Sequence, residues 1–525
     1  MSRLLNVGQT LSQHAKLFPD KIGVQDLGRS MNYRQWNERA CRLANALSGI
    51  GLKKGDRFAV LAYNCIEWME IYAAAAKAGL VVVPINFRLV DAEIRYLIED
   101  SEARAFIVQS DLLDRVENIR ATVPIAESNL ISFGGAKTPA GYRSYEDMIA
   151  RAAANEPAVA IGSEDIWTFM YTSGTTGRPK GAMRSQESDS LLHAFTALEM
   201  GFSRNDTGLL VMPMCHANSL WFSFLFAFCG GTSFIYSLKS FDPEHLLRTL
   251  AERKITFTSL VPTHYIMMLE LPDAVKQKYN VDRTNKLLIS SAPVRRETKL
   301  AIMEHFRNSK LFEGYGATEA GWVTLLPPEE QLHKLGSIGR ELTGTGKIKL
   351  LDANSDEVPE GGVGELYFHT PYAFQGYWKM PEKTAAAFRG DYCSVGDMAR
   401  RDGDGYYFLV DRKSNMIISG GENVYPSEVE SVLGGFPNLR EVAVIGVPHD
   451  KWGEAVHAVI VLRDGVTASE AEVLAWCRDK IAGYKRPRSV SFVKEEDIPR
   501  TATGKIQHRL LRQRFANNVA GVRAD

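Results

Sequence analysis

The chain has 525 residues, 45% hydrophobic and 24% charged, and its 62 Lys+Arg balance its 62 Asp+Glu to a formal net charge of zero. At roughly 100–200 residues per domain this length holds several domains and a core that needs no metal or disulfide to stabilise it. Neutral, average composition excludes a nucleic-acid coat, a polybasic membrane binder and a disordered chain, yet leaves room for a small anionic ligand in one cleft.

Taken in chain order, Trp36, Ala40, Leu43 and Leu47 recur at helical spacing and Gly51 follows as a stop signal. Arg57 to Leu61 and Val81 to Pro84 read as short strands with a helix between them. The strand pattern returns at Ile166 to Tyr171, Gly208 to Met212, Ile255 to Leu260 and Lys286 to Ser290, each ending in Gly, Pro, Ser or Thr or just before one. This alternation predicts an α/β architecture, in which function gathers at the carboxyl ends of the strands. The uncharged stretch Thr207 to Leu238 is interrupted by Pro213, His216, Asn218 and Gly230-Gly231. Its apolar heart, Leu220 to Cys229, is shorter than the ~20 residues of a membrane span, so a buried helix leading to a strand is expected.

After residue 340 the segments shorten and turn-rich runs appear, Pro359 to Gly362 and Asp402 to Gly405, which suit a β-rich subdomain. From Val442 the chain reads strand, strand (Val456 to Leu462), helix (Ser469 to Ile481), strand (Ser489 to Val493). The expected fold is thus α/β: a large N-terminal domain of mixed sheets plus a β-rich subdomain over 1–411, and a small α+β domain over 412–525, whose mobility is implied only by the resemblance given below. The six cysteines form no CxxC pair, so neither disulfides nor a zinc site is expected. Free thiols and the lack of an apolar leader after Met1 point to a cytoplasmic protein without stable membrane insertion.

The strongest local signal is Tyr171-Thr172-Ser173-Gly174-Thr175-Thr176-Gly177-Arg178-Pro179-Lys180-Gly181, directly after a strand pattern. Glycines turn backbone N–H groups toward one point, hydroxyls add donors, and Arg178 and Lys180 add charge, which together make a phosphate cradle. The Walker A spacing is absent. A Ser/Gly/Thr linker is the plain alternative, and a run this long ending in Pro-Lys-Gly argues against it. Tyr315-Gly316-Ala317-Thr318-Glu319, Ser394-Val395-Gly396-Asp397 and Asp411-Arg412 follow. Glu319 could hold Mg²⁺ together with phosphate oxygens, and Asp397 could accept two ribose hydroxyls. Alone, such an Asp is usually a turn and such a Glu a solvated face. Lys505, in Pro499 to Lys505, is a candidate mobile cation.

In this order the motifs resemble the adenylate-forming superfamily, which includes acyl- and aryl-CoA synthetases, over nearly the whole chain. The resemblance implies an AMP-forming acid–thiol ligase. A carboxylate attacks the α-phosphate of ATP to give acyl-AMP and pyrophosphate, and the thiol of coenzyme A then displaces AMP. It assigns Thr172 to Gly177 and Lys180 to the β- and γ-phosphates, Thr318 to the α-phosphate, and Glu319 with Thr175 to Mg²⁺. Tyr315 and Gly316 would hold adenine, Asp397 and Arg412 the ribose, and Gly420 and Gly421 the pantetheine arm of CoA. Lys505 would bridge carboxylate and α-phosphate in the first half-reaction, and the C-terminal domain would rotate about the hinge position, here Ser414 where Asp or Lys is usual, before the second. Gln186 stands where many relatives carry His, and Val395 where Thr is common.

The same resemblance lines the acid pocket with His216, Asn218, Trp221, Ser291, Ala292, Gly314 and Trp322, and gives His216 a role at the carboxylate. No Asp stands near His216 to pair a substrate ammonium, so amino acids are disfavoured. An aromatic, alicyclic or medium-chain fatty acid is expected over a very long chain, with ATP, Mg²⁺ and CoA as the other ligands and no nucleic acid. A homodimer and a lysine acetyltransferase acting on Lys505 are the protein partners the resemblance admits. The alternatives are an adenylating enzyme that loads a carrier protein and a non-catalytic nucleotide-binding paralogue.

Overall fold

The computed structural model describes residues 6–172, 179–290, 294, 296–419, 422–449, 451–478, 480–501 and 504–516. Packing divides them into two compact units. The first holds the described residues up to Thr172, then 179–348 and Phe368–Cys393; the second holds Lys349–Tyr367 and the described residues from Ser394 onward.

Two large sheets build the first unit. One has seven strands, in the order Arg143–Ser144, Leu130–Phe133, Ala105–Gln109, Arg57–Leu61, Val81–Ile85, Ile166–Thr172 and Lys180–Ser185. All neighbours are parallel except the last pair. The other has nine strands, in the order Arg340–Glu341, Gly321–Leu326, Lys310–Ala317, Lys286–Ser290, Phe257–Leu260, Thr207–Leu210, Thr232–Ile235, Ile22–Gln25 and Ser30–Asn32. Its interior is parallel and both ends are antiparallel. Strands such as Val81–Ile85 are buried throughout, because helices cover both faces of a parallel sheet and leave no polar side.

The expected strand Lys286–Ser290 and the strand starting at Arg57 have the predicted bounds, and the expected helix between Leu61 and Val81 is Glu67–Ala78. Every residue of that helix is buried, which its run of alanines permits, and its charges are paired: Glu70 with Arg39 at 2.6 Å and Lys77 with Glu156 at 2.8 Å. The uncharged stretch forms the buried helix Ala217–Cys229 followed by strand Thr232–Ile235, as its composition predicts. No helix among the described residues is long and apolar enough to cross a membrane. All six cysteines are free thiols, five of them buried.

The second unit contains a four-stranded antiparallel sheet, Lys349–Leu351, Val363–Tyr367, Asp397–Arg401 and Tyr407–Arg412. It also contains a five-stranded sheet built on the hairpin Leu439–His449 and Gly453–Leu462. Alternate hairpin residues enter two separate clusters, Val444, Val456, Ala458 and Ile460 on one face and Ala443, Ile445, Val459 and Val461 on the other. Period-two alternation therefore buries both faces. The helix expected over Ser469 to Ile481 is shorter, Glu470–Trp476, and the chain passes through a turn at Gly483–Lys485 before Pro487. The expected boundary at 411–412 falls inside this unit, at the end of strand Tyr407–Arg412.

Candidate active site

In the first unit, the hairpin of Lys310–Ala317 and Gly321–Leu326 presents Thr318 and Glu319 at its tip. Gly316 is required there by close approach: a Cβ would stand 2.3 Å from the Gly321 carbonyl oxygen. Glu319 is buried at 6% exposure, and its Oε1 accepts from Tyr377 OH at 2.9 Å and from Thr172 Oγ1 at 3.4 Å. Lys180 Nζ lies 3.9 Å above the centroid of the Tyr377 ring. Thr172, Lys180 and Glu319 are thus brought together, although Thr172 and Glu319 are 147 residues apart in the chain. Both of these hydrogen bonds fall on Oε1. Mg²⁺ needs only one or two carboxylates when phosphates complete its shell, and Glu319 fits that need. No group of three or more His, Cys, Asp and Glu fit to bind a metal occurs among the described residues.

Beneath the turn lies a fully buried ion pair. Arg184 donates to Asp189 Oδ1 at 2.7 Å through Nε, to the Thr318 carbonyl at 2.9 Å and to the Tyr372 carbonyl at 3.2 Å. Its guanidinium lies 5.1 Å from the centre of a Trp221 ring. Burial holds the Asp189 carboxyl above its ordinary value, and the Arg184 charge and hydrogen bond offset that only in part. Each donor thus has a partner, the condition under which a buried guanidinium is tolerated. Gln186, two residues on, is buried in the core and donates to the Ala76 carbonyl at 2.8 Å.

Of the expected acid-pocket residues, Trp221, Gly314 and Trp322 come together, and His216 and Asn218 precede Trp221 at the start of its helix. His216 Nε2 lies 3.0 Å from Asn86 Nδ2 at the start of helix Ala217–Cys229. Asn218 donates to Ser259 Oγ at 2.9 Å and Ser290 Oγ at 3.2 Å. One turn later Trp221 meets Trp322 edge to face, with centroids 5.8 Å apart, and Phe222 packs on the same indole at 5.9 Å. Gly314 lies under that indole, where an added Cβ would be 3.1 Å from Trp322 Cζ3. Tyr315 is 9% exposed on the same strand.

In the second unit Asp397 and Arg412 are cross-strand partners, joined by an ion pair at 3.0 Å. Lys505 is exposed by surface area, and its backbone N–H donates to Thr501 Oγ1 at 3.1 Å. Desolvation of its ammonium and next the Arg412 charge hold its pKa below the ordinary lysine value, and Asp397 opposes them. Ser414 sits in the turn after strand Tyr407–Arg412. Ser173, Gly174, Thr175, Thr176, Gly177, Arg178, Ser291, Ala292, Gly420 and Gly421 lie outside the described residues.

Tyr377, Asn86 and Ser259 escape sequence reading. Tyr377 is 58 residues from Glu319, and no spacing rule links a lone Tyr to a distant carboxylate. Ser259 was detectable only as the penultimate residue of a strand, the place where ligands gather.

Comparison with known proteins agrees along the chain. The family model described as AMP-binding enzyme matches residues 11–378, and that of the AMP-binding enzyme C-terminal domain matches 428–505. A feruloyl-CoA synthase from Amycolatopsis sp is 35% identical over 505 residues, 96% of this chain and 98% of the relative. The long-chain-fatty-acid–CoA ligase FadD13 of Mycobacterium tuberculosis is 34% identical over 519 residues, 98% of this chain and 99% of that one. The crystal structure of ATP-bound MatB from Rhodopseudomonas palustris superposes with a TM-score of 0.86 at 31% identity, covering 98% of this chain and 100% of that one. With the hairpin turn, the buried carboxylate and the paired Asp397 and Arg412 in place, the chain belongs to the AMP-binding enzyme family of the adenylate-forming superfamily, whose members here are acid–thiol ligases.

Proposed function

We propose that the protein is an AMP-forming CoA ligase that activates an aromatic, alicyclic or medium-chain acid with ATP and CoA. The observation that carries this reading is the match of both family models in one chain that keeps Glu319, Asp397 with Arg412, and Lys505. The aromatic packing of Trp221, Phe222 and Trp322 supports a compact, apolar acid.

The chemistry asks the protein to bring a carboxylate to a polyphosphate and to stabilise charge as it grows on the α-phosphoryl oxygens. Fixed donors and cations aimed at that charge supply most of such acceleration. In this reading Thr318 serves the α-phosphate from a turn whose carbonyl Arg184 anchors. Glu319, oriented by Tyr377 and Thr172, would hold Mg²⁺, which when bound neutralises phosphate charge. Thr172 and Lys180 flank the cradle that runs through Ser173, Gly174, Thr175, Thr176 and Gly177. Asp397 accepts the ribose hydroxyls, with Arg412 holding its carboxylate in place. His216, fixed by Asn86, borders the acid carboxylate, and Lys505 bridges the two anions. Movement of the segment from residue 412 about Ser414, bringing Gly420 and Gly421 to the thiol, belongs to the same proposal.

The test is a panel of carboxylic acids assayed for ATP- and CoA-dependent thioester formation, with phosphopantetheinylated carrier protein as a competing acceptor. Thioester on CoA with release of AMP is expected. Thioester only on the carrier protein, or nucleotide binding without pyrophosphate release, would overturn the reading.

A further inference from the structure

Helix Asp91–Ser101 carries Tyr96 and Asp100 four residues apart, and so on one face. Asp100 Oδ2 accepts from Tyr171 OH at 2.6 Å, and the Asp100 backbone carbonyl accepts from Trp378 Nε1 at 2.9 Å. The Tyr96 hydroxyl lies 3.2 Å from the Pro179 carbonyl and 3.4 Å from Asp100 Oδ1, one proton between two acceptors. A single helical turn thus holds the end of strand Ile166–Thr172, the residue before strand Lys180–Ser185, and Trp378.

Each of these three is the chain neighbour of a residue of the candidate site. Thr172 and Lys180 are cross-strand partners, and they directly follow Tyr171 and Pro179. Side chains alternate along a strand, so Tyr171 reaches Asp100 while Thr172 reaches Glu319. Tyr377, which bonds Glu319 and underlies Lys180, directly precedes Trp378, whose backbone N–H donates to the Gly181 carbonyl at 2.8 Å. Gly181 leaves room for the Tyr171 ring, since an added Cβ would stand 3.2 Å from its Cζ.

Helix stability does not account for Asp100. Its carboxylate stands in the last turn of the helix, which contains no basic residue, where the macrodipole disfavours negative charge. Among the described residues that carboxylate pairs with no cation and accepts from the two phenols alone. Burial first, then the Asp100 hydrogen bond and charge, hold the Tyr171 phenol above its ordinary pKa, so the proton stays on the donor. The 2.6 Å contact is therefore a short, directional, charge-assisted hydrogen bond.

We infer that Tyr96 and Asp100 are positioning residues for the phosphate cradle: through Tyr171, Pro179 and Trp378 they hold Thr172 and Lys180, its two ends, in place for the β- and γ-phosphates of ATP. This inference rests on that part of the proposed function which gives the cradle to those phosphates.

The experiment is calorimetric titration of ATP and of AMP, each with Mg²⁺, into the full-length wild type, Tyr171→Phe, Asp100→Ala and Asp100→Asn, each checked by thermal melting. AMP lacks the phosphates that the cradle would take, so it separates positioning from general stability. Tyr171→Phe and Asp100→Ala should raise the Kd for ATP ~5–20-fold, the worth of a hydrogen bond to a charged group, and leave the Kd for AMP unchanged. Asp100→Asn, whose amide oxygen can still accept from Tyr171, should lose less than Asp100→Ala. An unchanged Kd for ATP, or an equal loss for ATP and AMP, overturns this inference alone. A wild type that binds neither nucleotide overturns the ligase reading and this inference with it, whereas one that binds both but activates no acid overturns the ligase reading only. If Asp100→Ala does not fold, Tyr171→Phe, which keeps the ring, decides. Unfolding of both would show the contact to be structural and overturn the inference.

Discussion

Tyr377 donates its hydroxyl to Glu319 at 2.9 Å while its ring supports the Lys180 ammonium 3.9 Å away, so one side chain orients two charges of opposite sign. Tyr377→Phe keeps the ring and deletes the hydrogen bond. Acyl-adenylate formation should fall about 5–20-fold, the worth of a hydrogen bond to a charged group, with little change in melting temperature. Measurement of ATP–pyrophosphate exchange decides it, and an unchanged rate would show that the orientation of Glu319 does not matter to the reaction.

Arg184 and Asp189 test how the Thr318 turn is held. Removing one partner strands the other charge in the interior, so Arg184→Met should cost ~3–5 kcal/mol. The double variant Arg184→Met/Asp189→Leu should recover most of that loss because no buried charge remains. Denaturant midpoints of the single and double variants are the measurement. Equal destabilisation in both would mean that the carbonyl hydrogen bonds to Thr318 and Tyr372, rather than the ion pair, dominate.

The proposed role of Lys505 requires the protonated ammonium. Its pKa lies below the ordinary lysine value through desolvation and then repulsion from Arg412. The first half-reaction should therefore lose rate on the alkaline side at a lower pH than a free lysine would dictate. Arg412→Ala removes the repulsion, leaves the attraction of Asp397 and should move that alkaline limb to higher pH. Lys505→Ala should abolish the limb and slow adenylation ~10²–10³-fold while sparing thioester formation from supplied acyl-AMP. Rate profiles of each half-reaction against pH provide the check, and an equal loss in both halves would count against the assignment.

His508 and Glu430 predict a pH dependence of stability. Burial lowers the imidazole pKa, but the Glu430 hydrogen bond at 3.0 Å and the charges of Glu430 and Asp411 outweigh it and leave the group above its ordinary value. A raised folded-state pKa means that the stabilisation is complete below the unfolded value near 6.5 and is lost as pH rises through the folded value. The loss should amount to about 0.5–1 kcal/mol. Thermal melts from pH ~6 to ~9 should show this decline in the wild type and a flatter curve for His508→Gln. Parallel curves for the two proteins would refute the linkage.

Local chemistry made much of this protein legible from residues alone. Strand and helix positions followed from apolar periodicity, as with Lys286–Ser290 and the buried helix at Ala217–Cys229, because burial on one or both faces of an element is written directly into residue spacing. The site motifs were legible for a related reason: Tyr315 to Glu319 lie on one hairpin, so their relation is short-range. Tertiary structure alone decided which distant side chains complete them. Tyr377 on Glu319, Arg184 beneath Thr318, and Ser259 beside Asn218 come from separate elements. No periodicity encodes such pairings, because sheet order and crossover connections, rather than sequence distance, set which strand ends become neighbours. The same holds for the pairing of Asp397 with Arg412, which exists only because an antiparallel register places them opposite one another.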